Sequence, residues 1–157
     1  MKLFLDMDGT IANTYDVSGW LDCLLNEDTS PYYEAKPLCD GKALAEVLQA
    51  FQDKGCTVGI VSWMSKANPS KAFKMRTRRT KKEWLKRHIP FAFDEIHIQN
   101  YGENKGKWNN GQESYLVDDV FDIPFKGGKV IPTECEGRNI HGVLDALEYL
   151  YFEQFGL

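Results

Sequence analysis

Three apolar runs, Leu3-Phe4-Leu5, Val58-Gly59-Ile60-Val61 and Tyr115-Leu116-Val117, each stop at a polar residue: Asp6, Ser62 and Asp118. Short apolar runs bounded by polar or turn residues read as buried strands. Between them lie stretches of helical period, with Leu44, Val47, Leu48 and Phe51 as one stripe and Val143, Leu144, Leu147, Leu150 and Tyr151 as another. Strands alternating with helices predict a parallel sheet with helices on both faces. Right-handed crossovers then bring every strand's carboxyl end to one edge of the sheet. Open α/β sheets keep their chemistry at that edge. Asp6, Ser62 and Asp118 are therefore expected to form one site.

The chain's punctuation supports this reading. Asp-Gly after Asp6 forces a turn. Asp40 is placed to cap the first long helix and Gly55 to close it. Pro69 suits the start of the next helix, on which Trp84, Leu85 and His88 share a face, and Pro90 stops it. Residues 93–99 alternate as a third strand with Ile96 and Ile98 inward, and residues 129–133 predict a fifth. Residues 11–40 show no clear period. A short helix over 17–25, with Trp20, Leu21, Leu24 and Leu25 on its apolar side, followed by a loop at Pro31, Tyr32 and Tyr33, predicts a small flap. The chain is thus expected to be one domain, 1–157, with that flap as its insertion; 157 residues suffice for a proper core.

No apolar run approaches the ~20 residues of a membrane helix, so no membrane association is expected. The first strand begins almost at Met1, without a basic region and apolar stretch before a cleavage site, which predicts a cytoplasmic chain. The cysteines Cys23, Cys39, Cys56 and Cys135 form no C-x-x-C pair and have no histidine at metal spacing. Reduced, mostly buried thiols are the expectation.

Two carboxylates at the end of a buried strand suit two kinds of chemistry. Asp6 can act as a nucleophile that forms an aspartyl-phosphate, or as a hard oxygen ligand for Mg²⁺. Phosphoryl transfer also needs neutralisation of the phosphoryl oxygens and proton transfer to the leaving group. Mg²⁺ between Asp6, the Asp8 carbonyl and Asp118 can meet the first need, with Asp119 as a further ligand or an orienting group. Thr10, the Ser62 hydroxyl, the backbone at Trp63, Asn68 and a lysine are the candidate phosphate contacts, with Ser65 beside them. Asp8 can serve as general acid and then general base. The lysine is Lys105 or Lys107, both of which lie in the loop before the fourth strand.

Asp6-Met7-Asp8-Gly9-Thr10, Val61-Ser62, Lys105 and Leu116-Val117-Asp118-Asp119 resemble, in order and spacing, the four motifs of the haloacid dehalogenase superfamily. The second aspartate, Asp8, resembles its phosphatase branches. The resemblance implies an α/β fold, a Rossmann-like three-layer α/β/α sandwich with a parallel sheet in the order 5-4-1-2-3 and a minimal cap. Lys81-Lys82-Glu83-Trp84-Leu85-Lys86-Arg87-His88-Ile89-Pro90, with Phe125-Lys126-Gly127-Gly128 after the aspartate pair, is similar to bacterial and phage 5'(3')-deoxyribonucleotidase-like proteins. Tyr101-Gly102-Glu103-Asn104-Lys105 resembles that family's lysine segment, which favours Lys105. The implied activity is an Mg²⁺-dependent phosphatase acting on a nucleotide or another small phosphomonoester, as a monomer or homodimer. Trp63, Trp20, Tyr15, Tyr32 and Tyr33 flank the motifs and can stack on a base.

Charge is distributed unevenly. Residues 66–88 carry +9 and the rest of the chain −13, for a net −4. A solvated helix face explains such a run. A nucleic-acid partner at 66–88, or a phosphatase acting on polynucleotide ends, is the alternative.

Overall fold

The structure, a computed structural model, describes residues 1–156; Leu157, the last residue of the expected domain, lies outside them. Five strands form one parallel sheet: β1 (Lys2–Leu5), β2 (Thr57–Trp63), β3 (Glu95–Gln99), β4 (Ser114–Asp118) and β5 (Lys129–Pro132), in the order β3-β2-β1-β4-β5. The helices are α1 (Trp20–Leu25), α2 (Ser30–Glu34), α3 (Gly41–Asp53), α4 (Lys71–His88) and α5 (Val143–Phe155). A short antiparallel ribbon, β6 (Glu134–Cys135) with β7 (Ile140–His141), precedes α5 and was not expected from the sequence. This is an α/β protein compatible with a Rossmann-like three-layer arrangement.

The register places the candidate site. Leu5 of β1 is level with Ile60 of β2 and Val117 of β4. The next residue along, Asp6, is therefore level with Asp118, and its N–H donates to the Val117 carbonyl at 3.0 Å. Ser62 sits one step beyond, inside β2 rather than after it.

The layers are unequal. On one face, Leu3, Leu5, Val58, Ile60 and Val117 pack against Leu44, Leu48 and Phe51 of α3, Trp84 of α4, and Val143 and Leu147 of α5. The alternate side chains Phe4, Val61 and Leu116 point to the other face. There they meet Phe125, Trp108 and Ile123, which belong to irregular segments and not to an α-helix. The helix layer expected on that face is replaced by a 3-10 turn, Lys105–Trp108, and the β4–β5 connection. That substitution lets a lysine rise directly beside the strand ends.

Helix boundaries follow local chemistry. The Asp40 carboxylate accepts from the Lys42 and Ala43 N–H groups at the start of α3, and Gly55 at φ 87° closes the helix. Ser70, one residue after Pro69, caps α4 by accepting from the Phe73 N–H. Residues 11–40 differ from expectation in detail. The helix expected over 17–25 is confined to α1, because Gly19 adopts a left-handed conformation at its start. Pro31, Tyr32 and Tyr33 are helical in α2, where Pro31 sits in the first turn and its missing N–H has no cost.

The flap is held to α4 along its length. Trp84, fully buried, donates its indole N–H to the Ala35 carbonyl at 2.7 Å. Ser70 donates to Glu27, Arg76 to the Glu27 carbonyl and Arg87 to the Tyr33 carbonyl. Trp84→Phe keeps an aromatic ring there but strands a buried carbonyl. It is expected to cost about 2–3 kcal/mol, a fall in Tm of about 4–12 °C for a chain of this size, read by calorimetry.

Candidate active site

The residue that shapes the site is Gly9. It turns the chain at φ 81°, and a Cβ there would lie 2.5 Å from the Asp119 Oδ2. Only glycine combines that conformation with so close an approach. The turn is closed by the Thr10, Ile11 and Ala12 N–H groups, all donating to the Met7 carbonyl. It sends Asp6 and Asp8 in different directions, and each finds its own lysine.

Asp6 and Asp118 share Lys105. The Lys105 ammonium donates to Asp6 Oδ1 at 2.8 Å and to Asp118 Oδ2 at 2.9 Å, and all three groups are buried. The Thr10 hydroxyl lies 3.0 Å from Asp6 Oδ2 and 3.2 Å from Asp119 Oδ1, and accepts from the Asp119 N–H. The Val120 N–H donates to Asp118 Oδ1 at 2.9 Å. Lys107 turns outward and pairs with Glu103. Of the two candidate lysines, Lys105 is therefore the one in the site.

Asp8 pairs with Lys81, one of the cations of the basic run 66–88. Lys81 is buried on α4, and its three N–H groups reach Asp8 Oδ2 at 2.7 Å, Ser62 Oγ at 2.8 Å and the Trp63 carbonyl at 2.8 Å. Thr14 donates to the other Asp8 oxygen at 2.6 Å. A signal for Lys81 existed. It lies three residues before Trp84 and four before Leu85, on the apolar stripe of the helix, where a lysine needs a buried partner.

The expected phosphate contacts separate. Trp63 lines the cavity, its indole N–H donating to the Glu103 carbonyl. Ser65 also lines it. Ser62 is fully buried in β2 and is engaged by Lys81, and Thr10 is buried between Asp6 and Asp119, so both support carboxylates and ammoniums from beneath. Asn68 is exposed in the β2–α4 loop and does not line the cavity.

Above Asp6 opens a cavity of about 730 Å³, within the ~300–1,000 Å³ range of small-molecule sites. Its floor is Asp6, Asp8, Asp118, Asp119 and Lys105. One wall is the flap, with Tyr15 against Trp20 at 4.9 Å. The opposite wall is Trp63 against Tyr101 at 4.8 Å. Val120 and Ile123 of the β4–β5 connection complete it, so the flap closes one side only. His88, His97 and His141 line none of it.

Four carboxylates face two ammoniums at the floor. Burial raises the pKa of Asp6 above the usual carboxylate value, against the pull of Lys105 and with the repulsion of Asp118. Asp118 is raised by burial in the same way, and Asp119 by burial and by Asp6. Lys105 is also raised: burial alone would lower it, but Asp6 and Asp118 together outweigh that. The negative excess and the all-oxygen donor set fit a hard divalent cation. Oxygens of Asp6, Asp118 and Asp119 lie within 4.8 Å of one another. The Asp8 carboxylate, drawn off by Lys81, is not in that group.

No protein-family model matches the chain, and no curated protein matches it either.

The charge excess has a measurable sign. Carboxyls whose folded values are raised bind protons more tightly in the folded state, so their contribution to stability grows as pH falls and is lost as pH rises through those values. Asp119→Asn removes one charge at the exposed rim of the group. In a chelating buffer its melting temperature is expected to exceed that of the parent by a few degrees at about pH 8, with the gap closing toward about pH 4.

Proposed function

We propose that this protein is an Mg²⁺-dependent phosphomonoester hydrolase of the haloacid dehalogenase type, working through an aspartyl-phosphate on Asp6. The observation that carries the reading is the pairing of a buried aspartate, Asp6, and a half-buried one two residues on, Asp8, with two different lysines at the floor of one cavity. The sheet order, read from the β5 edge as 5-4-1-2-3, agrees with the resemblance of the motifs. The substrate favoured is a nucleotide, because aromatic pairs on opposite walls offer flat faces to a base.

The division of labour follows from the partners. Asp6 is the nucleophile: its oxygen attacks phosphorus, and the ester bond to the leaving alcohol breaks. Lys105, kept protonated by Asp6 and Asp118, holds the nucleophile in place and offers positive charge to phosphoryl oxygens. Asp8 delivers a proton to the leaving oxygen and later takes one from the water that releases phosphate. Lys81 and Thr14 hold Asp8 by both its oxygens, which makes Lys81 a positioning residue. Asp6, Asp118 and Asp119, with the Asp8 backbone carbonyl, would hold Mg²⁺, which supplies charge neutralisation between nucleophile and phosphate.

The test is phosphate release across nucleotides, sugar phosphates and phosphorylated oligonucleotides, with and without Mg²⁺. Nucleotide turnover that stops with a chelator is expected, and chelator-resistant turnover would rule the proposal out. Asp6→Asn should abolish turnover, since an amide does not form the acyl-phosphate. Asp8→Asn should lose ~10²–10⁴-fold. With an aryl phosphate, whose leaving group needs little protonation, rapid-quench assays of Asp8→Asn should show a burst of aryl alcohol, and those of Asp6→Asn should show none. Lys81→Met should lower kcat by about 10–100-fold with KM little changed and should alter the pH profile of kcat, with partial rescue in Lys81→Arg.

A further inference from the structure

The two flanks of α4 do different things with their cations. On the flap side, Arg76 and Arg87 are engaged by the Glu27 and Tyr33 carbonyls, and Lys81 is buried in the site. On the other flank, Lys71, Lys74, Arg78, Lys82 and Lys86 recur every three or four residues, so they stand about one per helical turn along one side. None of the five forms an ion pair among the described residues. Lys71, Lys82 and Lys86 are exposed, while Lys74 and Arg78 are half-buried. The row extends for about 22 Å at ~1.5 Å per residue. The chain is net negative, so like-charged neighbours on one flank are a local feature and not an average one.

A second concavity, of about 450 Å³, opens beside this row, between α4 and β3. Arg78 and Lys82 form one side of it. His97 and Trp108 lie on the other, their rings parallel within 6° at 3.7 Å. The one carboxylate lining it, Glu103, is already paired with Lys107. Arg78 is fixed by donating from Nε to the Ile98 carbonyl, which leaves its remaining N–H groups free for another acceptor. The groove and the catalytic cavity are next to each other. Asn100 lines the first and Tyr101 the second, and Lys66 at the cavity mouth lies only a few residues before the start of α4.

We propose that this flank of α4, with the groove it shares with β3, is a binding surface for single-stranded nucleic acid. The lysines and Arg78 track successive phosphates, and the aromatic rings at the groove give an unpaired base something to stack on. A strand lying on the row leads to the mouth of the catalytic cavity, which has room for one terminal nucleotide. An acidic protein would satisfy the row of charge but has no use for the aromatic platform. The surface stands apart from the phosphatase reading: it shares no residue with the carboxylate floor, and binding to it requires no turnover.

The test is fluorescence anisotropy of the full chain, in chelator to prevent turnover, with labelled single-stranded DNA and RNA oligonucleotides long enough to span the row. Binding of either is expected to weaken with salt, with a log–log slope of about −2 to −3 for three or four phosphates at ~0.7 each. Arg78→Ala/Lys82→Ala should weaken binding about tenfold at low salt and make the slope about 1.4 shallower. Lys129→Ala, on β5 at the sheet edge opposite β3, should change neither. Lack of salt-dependent binding to both oligonucleotides overturns the proposal. So does an unchanged slope in the Arg78/Lys82 variant, or displacement by polyglutamate as effective as by unlabelled oligonucleotide. Binding as described in a protein that releases no phosphate from any substrate would leave this surface intact and remove the phosphatase reading.

Discussion

Everything at the carboxyl edge of the sheet depends on one buried arrangement: the Lys105 ammonium between the carboxylates of Asp6 and Asp118. Two desolvated carboxylates at the ends of adjacent strands would repel each other strongly in a low-dielectric interior. A single lysine from the other face of the sheet makes the arrangement tolerable but does not neutralise it. The remaining negative excess is a built-in demand for more positive charge. In an ordinary core that demand would be a defect. At the floor of an open cavity it fits the proposed binding of a cation and of the anion that a cation brings with it.

The sheet makes that arrangement possible by being covered unequally. Face-filling helices pack on the side of Leu3, Leu5 and Ile60, and they supply most of the buried apolar surface. The side of Phe4 and Leu116 is covered by a 3-10 turn and a loop, which come nearer to the strands than a helix could. Gly106, in that turn, has the Lys126 backbone so close that a Cβ would meet its carbonyl oxygen at 2.2 Å. Close packing of loop on loop, not helix on sheet, is what brings Lys105 into register with Asp6.

The second structural axis is α4. It works as a strut with three sides. One packs Trp84 and Leu85 into the core, one pins residues 11–40, and one carries the unpaired row of cations. Lys81 lies at the boundary of these functions. It ties the helix to Asp8 at the cavity floor, to β2 through Ser62 and Trp63, and faces the ring of Tyr32 in the flap at 4.6 Å. Movement of the flap relative to α4 would thus be felt at the proposed acid–base residue.

Periodicity and turn chemistry determined a good deal by themselves. The five strands, the caps at Asp40 and Gly55, the turn at Gly9 and the alignment of Asp6 with Asp118 all follow from local pattern, because apolar spacing records which side of an element faces the core. Local pattern also made Asp6, Asp8, Asp118 and Asp119 candidates, since charged residues at the ends of buried strands are costly without a use. Only the tertiary structure set Lys105 against Asp6 and turned Lys107 outward, left Asn68 outside the cavity lining, and placed Ser62 and Thr10 beneath it. It alone found Lys81, whose partner Asp8 lies 73 positions away in the chain. A helix propensity or a charge count treats the lysines and arginines of α4 nearly alike. What distinguishes Lys81 from its neighbours is the direction it faces once the helix is docked, and docking is set by contacts among residues distant in sequence.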